Sequence, residues 1–179
     1  MKTLAAIALA LAPLAAQAAR MTDGETAEFL HVVNQAEMRA GRLAQESGSS
    51  QQVKDFGKML VGDHQTADLL VVDACRDSYL SLSRKELTAD ELRSLDALSK
   101  RLDRLAKLAG AKFDKAFARE MERDHQQVID QLKGADLSLV NMRTLVAQLM
   151  PTLEHHRDEA ARLLQPRLPV GRAPPRRRR

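Results

Sequence analysis

Apolar positions recur at three- and four-residue intervals along most of the chain, the period of helices buried on one face. The first stripe is Phe29, Val33, Ala36, Ala40 and Leu43. Thr22 and Glu25 form a capping box ahead of it, so a helix is predicted from there to about Glu46. Ser47-Gly48-Ser49-Ser50 ends it, with Ser49 expected to cap the next helix, and so short a turn makes the two antiparallel neighbours. The second helix, about Gln51 to Asp77, carries Phe56, Leu60, His64, Ala67, Val71 and Ala74 on one seam. Gly57 and Gly62 each cost about 1 kcal/mol against Ala inside it, which points to close packing at both.

After a polar connection, Thr88 and Glu91 make another capping box. The third helix, to about Leu108, sets Leu92, Leu95, Leu98, Leu102 and Leu105 opposite a charged face, and Gly110 stops it. It is amphipathic, and is read either as packing on the outside of a bundle or as a homodimer contact. The fourth, about Lys112 to Lys133, has the seam Phe113, Phe117, Met121, His125, Val128 and Leu132. The fifth, about Ser138 to Leu164, has Met142, Leu149, Leu153, His156, Ala160 and Leu163, with Pro151 expected to kink it. The four long helices predict an all-α four-helix bundle of two hairpins with one additional amphipathic helix.

Composition agrees with that class. Aromatic residues make up 3% of the 179 residues and Trp is absent, which argues against a sandwich or barrel. The two ends depart from the helical pattern. Lys2, an apolar run over 4–16 and Ala16-Gln17-Ala18 read as a signal peptide (1–18) cleaved near Ala18, too short to span a membrane. A soluble, exported chain is expected, periplasmic in a Gram-negative source. Residues 166–179, rich in Pro and Arg, read as a disordered tail. That tail holds six of the 28 basic residues and the leader holds one, leaving 21 against 24 acidic residues in the 19–165 domain, a net charge of −3. The high isoelectric point therefore belongs to the tail. Arg176–Arg179 would be drawn to an anionic envelope surface, and no nucleic acid partner is expected for the body. Cys75, the one cysteine, excludes an internal disulfide and reads as a buried thiol or an intermolecular link.

Candidate chemistry comes from a repeat. Phe56 and Phe117 each precede a histidine by eight residues, Leu60 and Met121 precede it by four, and Asp-His-Gln closes both copies at 63–65 and 124–126. His64, His125 and His156 each fall on an apolar seam, and Glu37 borders the first stripe. Imidazole and carboxylate converging in a bundle core is how di-metal sites of helical bundles are built. The candidate metal ligands are Glu37, His64, His125 and His156, with Asp63 and Asp124 supporting them, for Fe, Mn, Zn or Cu. Only Glu122-x-x-His125 matches the Glu-x-x-His pattern of di-iron bundles. Levels argue against a shared ion: a turn near Ala135 puts His125 opposite about Leu145, roughly 15 Å along the axis from His155 and His156. A turn near Gly48 puts His64 opposite about Val33, with Glu37 one turn away. The competing reading is that the Asp-His pairs only fix helix register. His31 and His155 read as surface residues. No P-loop, Rossmann glycines, Cys-x-x-Cys or Ser-His-Asp order is present, so no enzyme activity is indicated.

The chain resembles a family of small exported helical proteins of unknown function, often labelled outer membrane proteins and placed in the ferritin-like superfamily. The resemblance rests on Glu28-Phe29-Leu30, Ala36-Glu37 and Leu43-Ala44, on Val53 to Phe56 through Met59 to Asp63-His64, on Phe113 to Phe117 with Asp124-His125-Gln126, and on Leu149 to Leu153 with His155-His156. It implies an exported, ferritin-like four-helix bundle over about Thr22 to Leu164 and no particular activity. The leading functional expectation is a non-enzymatic structural or envelope-interaction role, with a metal-binding role in storage or detoxifying redox as the alternative.

Overall fold

The computed structural model describes residues 20–82 and 89–165. The leader over 1–18, the tail over 166–179 and the cap at Thr88 lie outside the described residues. Five helices follow in order: α1 (Asp23–Ser47), α2 (Gln51–Asp77), α3 (Ala89–Leu105), α4 (Gly110–Gly134) and α5 (Val140–Leu164). Among the described residues there is no strand, so the all-α expectation holds. No helix among them is long and apolar enough to cross a membrane.

α1 packs on α2 and α4, and α5 packs on the same two, so α2 and α4 face each other across the bundle. Their repeats meet in register. The Phe56 and Phe117 rings touch edge-on at 5.8 Å, and His64 meets His125 eight residues further along both helices. α2 and α4 therefore run parallel, and residues 78–109 must return the chain to the far end of the bundle. α3 lies on that return and packs on α1 and α4. Its Leu102 and Leu105 are buried beside Phe113 and Phe117, and Arg39 binds Asp103 across to α1.

Local chemistry sets the helix ends. Thr22 and Glu25 close the expected capping box on α1. Ser50, rather than Ser49, caps α2 by accepting from Val53 N. Ser49 instead donates with Ser50 N to Asp114, fastening the α1–α2 turn onto α4. Asp23 does the same at the other end, accepting from Ser138 and Leu139 where α5 begins. Burial raises the carboxyl pKa values of Asp23 and Asp114, but the hydrogen bonds outweigh it and hold both below the ordinary value. Gly110, expected as a stop for α3, is the first residue of α4 with φ of 63°. α5 continues through Pro151 to Leu164.

Close packing occurs at Gly57 but not at Gly62. A Cβ on Gly57 would come within 2.6 Å of the Gly41 carbonyl oxygen, and one on Gly62 would meet nothing within 4 Å. The Gly41–Gly57 approach brings α1 and α2 together, and Cys75 is buried further along α2. The core divides into two apolar clusters. One gathers Leu30, Val33, Val71, Val128, Leu149 and Leu153. The other gathers Ala44, Phe56, Leu60, Phe113, Phe117 and Met121. The polar residues of the candidate site form the layer between them.

Candidate metal centre

His64 from α2, His125 from α4 and His156 from α5 meet in that layer, exposed by 2%, 1% and 0%. His64 Nε2 lies 3.4 Å from His125 Nε2, and His156 Nδ1 lies 3.3 Å from the same atom. The three ligand nitrogens all fall within 4.8 Å of one another.

This meeting corrects the expectation that His125 and His156 stand too far apart along the axis. Two features narrow the gap. Residues 135–139 form a five-residue connection, so the turn is centred nearer Leu137 and the opposite level moves towards α5's middle. In addition, each Cα–Cβ bond tilts towards its helix N-terminus. In an antiparallel pair those tilts oppose, so His125 leans away from the connection and His156 leans back towards it.

The outer nitrogen of each ring is held by an acceptor. His64 Nδ1 donates to Asn34 Oδ1 at 2.8 Å, His125 Nδ1 to the Met121 carbonyl at 2.8 Å, and His156 Nε2 to Asp63 Oδ2 at 2.9 Å. A proton on each outer nitrogen leaves a lone pair on each inner one. The reverse tautomer of His156 would set a lone pair against a carboxylate oxygen. Protonating the rings further is disfavoured. Burial lowers the His64 pKa well below the ordinary value, with the other two rings adding to it. Burial and His156 bring His125 down to about 3. Burial also lowers His156, against the opposing pull of Asp63. Three neutral imidazoles thus aim their lone pairs at one buried point.

The chain belongs to the DUF4142 family. That family, a domain of unknown function, matches residues 8–163. No curated protein and no solved structure matches the chain.

The remaining candidates of this DUF4142 chain take different places. Asp63, half exposed, supports His156 on another helix rather than its own neighbour His64. Asp124 is buried and is held by arginines, its Oδ1 accepting from Arg101 at 2.9 Å and from Arg123. Glu37 is 2% exposed and stands outside the imidazole cluster, its Oε2 without a hydrogen-bond partner. Burial, then Asp124, push its pKa up to about 8 against the pull of Arg101. His31, expected as a plain surface residue, is bound to Asp68 at 2.7 Å between α1 and α2.

Sequence reasoning missed Asn34 and Arg101. Asn34 was within reach of the level argument, which put His64 opposite its neighbour Val33. Arg101 had no such signal, because the return segment leaves the register of α3 against α4 unconstrained. The Met121 carbonyl is a backbone group, and only the four-residue spacing to His125 hinted at it.

Proposed function

We propose that this chain binds one transition-metal ion through His64 Nε2, His125 Nε2 and His156 Nδ1. The observation that carries the reading is the convergence of three lone pairs, each fixed by an acceptor behind the ring. That outer support is what metal-ligating histidines ordinarily have. The spacing fits as well: nitrogens about 2.0–2.1 Å from a tetrahedral ion are about 3.3–3.4 Å apart, against 3.4 and 3.3 Å for the two pairs that share His125. A purely structural role, the leading expectation from the sequence, leaves at least the His125 and His156 lone pairs facing each other at 3.3 Å with no proton between them.

The donor set narrows the metal. Three imidazoles without a carboxylate suit Zn or Cu better than Mn, which prefers oxygen ligands. Such an ion keeps a fourth coordination position and supplies Lewis-acid chemistry there. The long return between two antiparallel helix pairs supports reading the bundle as ferritin-like, but with a mononuclear His₃ centre in place of a carboxylate-bridged pair. The leader-like residues 1–18 support export, so the ion would be held outside the cytoplasm.

The test is the metal content of the untagged, purified protein, measured by mass spectrometry beside a His64→Ala/His125→Ala variant. About one equivalent of Zn or Cu, lost in the variant while its circular dichroism stays helical, is the expected result. Wild-type protein that neither carries nor takes up either metal would sink the reading.

A further inference from the structure

Glu37 has no role in the centre described above, yet it is among the least accommodated groups in the molecule. Its carboxyl is fully enclosed, and its Oε2 has no donor. Leaving a buried carboxyl oxygen without a partner is costly and calls for a compensating function. Its place suggests one. Glu37 follows Asn34 by three residues on α1, so both lie on one face, and its side chain leans towards the Asn34 level. Asn34 holds His64. The charged groups facing Glu37 are Asp124 from α4, the residue before His125, and Arg101 from α3.

Charge accounting around the imidazoles is simple. Asp124 is matched by Arg101 at 2.9 Å. The rings are neutral. Among the described residues, Asp63 is the carboxylate in contact with the cluster, through His156, and it has no other ion pair there. A monovalent cation on the three rings would be balanced by Asp63. A divalent one would leave a further positive charge in a water-poor layer between two apolar clusters.

We propose that Glu37 is the charge-balancing residue of the centre: it releases its proton to solvent when a divalent cation settles on the three imidazoles, and so favours divalent over monovalent ions. This rests on the metal-binding reading above. In the step, the Glu37 O–H bond breaks, three metal–nitrogen bonds replace three metal–water bonds of the hydrated cation with release of those waters, and one proton leaves for the buffer with no change of oxidation state. The group is suited to it, because burial and Asp124 keep the carboxyl protonated up to about pH 8 in the absence of metal. A cation placed nearby reverses that preference.

The experiment is calorimetric titration of the metal-free chain with Zn²⁺ at pH 7, in two buffers of different protonation enthalpy. Wild type and Glu37→Gln are compared, so that any proton lost from metal-bound water cancels. Glutamine keeps the shape of the side chain, and thermal melts check that the variant is folded. Wild type is expected to release close to one proton more per zinc than the variant. Between pH 6 and 8 its affinity should gain on that of Glu37→Gln by roughly tenfold per pH unit. With Ag⁺ as a monovalent probe, the two proteins should release equal numbers of protons. Equal proton release with Zn²⁺ would overturn the proposal and leave the His₃ centre standing. A wild type that takes up no Zn²⁺ would overturn both. Extra proton release with Ag⁺ as well would overturn the selectivity.

Discussion

Asp63 on α2 accepts a 2.9 Å hydrogen bond from His156 on α5, and so fixes the ring whose opposite nitrogen faces His125. The bond joins the first copy of the Asp-His repeat to a histidine outside the repeat. It holds the tautomer that leaves His156 Nδ1 free, and a carboxylate behind an imidazole raises its basicity as a ligand.

Replacing Asp63 by Asn keeps the shape but offers His156 an amide in place of a carboxylate. Metal affinity should fall by about 10–100-fold, the usual loss when such outer support is removed. Competition of Zn²⁺ with a chromophoric chelator reads this directly. Asp63 is half exposed, so its loss should change the melting temperature of the metal-free protein little. Asp124→Asn is the contrast. It removes the buried partner of Arg101, and should lower stability more than it lowers metal affinity.

How much of this arrangement could be read from the sequence depends on how tightly each pair of helices is indexed. The turn over 48–50 pins α1 against α2, and the level it sets for His64 lands beside Asn34. The helices, their seams and the three seam histidines follow from periodicity alone. The His125–His156 meeting did not, because counting residues from a turn locates Cα atoms and ignores the lean of side chains in opposed helices. The two aspartates of the repeat diverge for a similar reason. Each sits about 100° from its histidine, and what it meets depends on the neighbouring helix: Arg101 for Asp124, and an α5 imidazole for Asp63. Glu37 was legible as a polar residue bordering a stripe, but not as a carboxyl left outside the cluster.

The α1–α2 approach gives a prediction about packing. A Cβ on Gly41 would stand 2.5 Å from the Gly57 carbonyl oxygen and 2.9 Å from a Val61 methyl, and one on Gly57 would stand 2.6 Å from both Ala44 Cβ and the Gly41 carbonyl oxygen. The obstacles are largely backbone and a neighbouring Cβ, so the helices must separate. Gly41→Ala and Gly57→Ala should each lower stability by about 1–3 kcal/mol, despite alanine's better helix propensity. Gly62→Ala, with open space around it, should instead stabilise by about 0.5–1 kcal/mol. Urea midpoints of the three variants check this; the same sign in all three would show that helix propensity rather than packing governs these positions.

The metal-free protein should have a stability maximum on the pH axis, set by groups pulling in opposite directions. His64, His125 and His156 have pKa values lowered by burial, His125 to about 3. Below about pH 6.5 the unfolded chain therefore binds more protons at these rings than the folded one, and stability falls as pH falls towards 3. Glu37 works the other way. Its folded pKa of about 8 exceeds the unfolded value of 4.5, so its protonated form favours the folded state and that contribution is lost as pH rises from 4.5 through 8. On the acid side three rings outweigh two carboxyls, Glu37 and Asp124, whose pKa burial also raises, and above about pH 6.5 Glu37 governs the slope. Melting temperature should thus rise from pH 4 to about 6.5 and decline from there to 8. In Glu37→Gln the acid limb should remain and the decline between 6.5 and 8 should vanish. A decline that persists unchanged in that variant would show that the folded protein holds no proton at Glu37. The charge-balancing step at the centre would then have no proton to release.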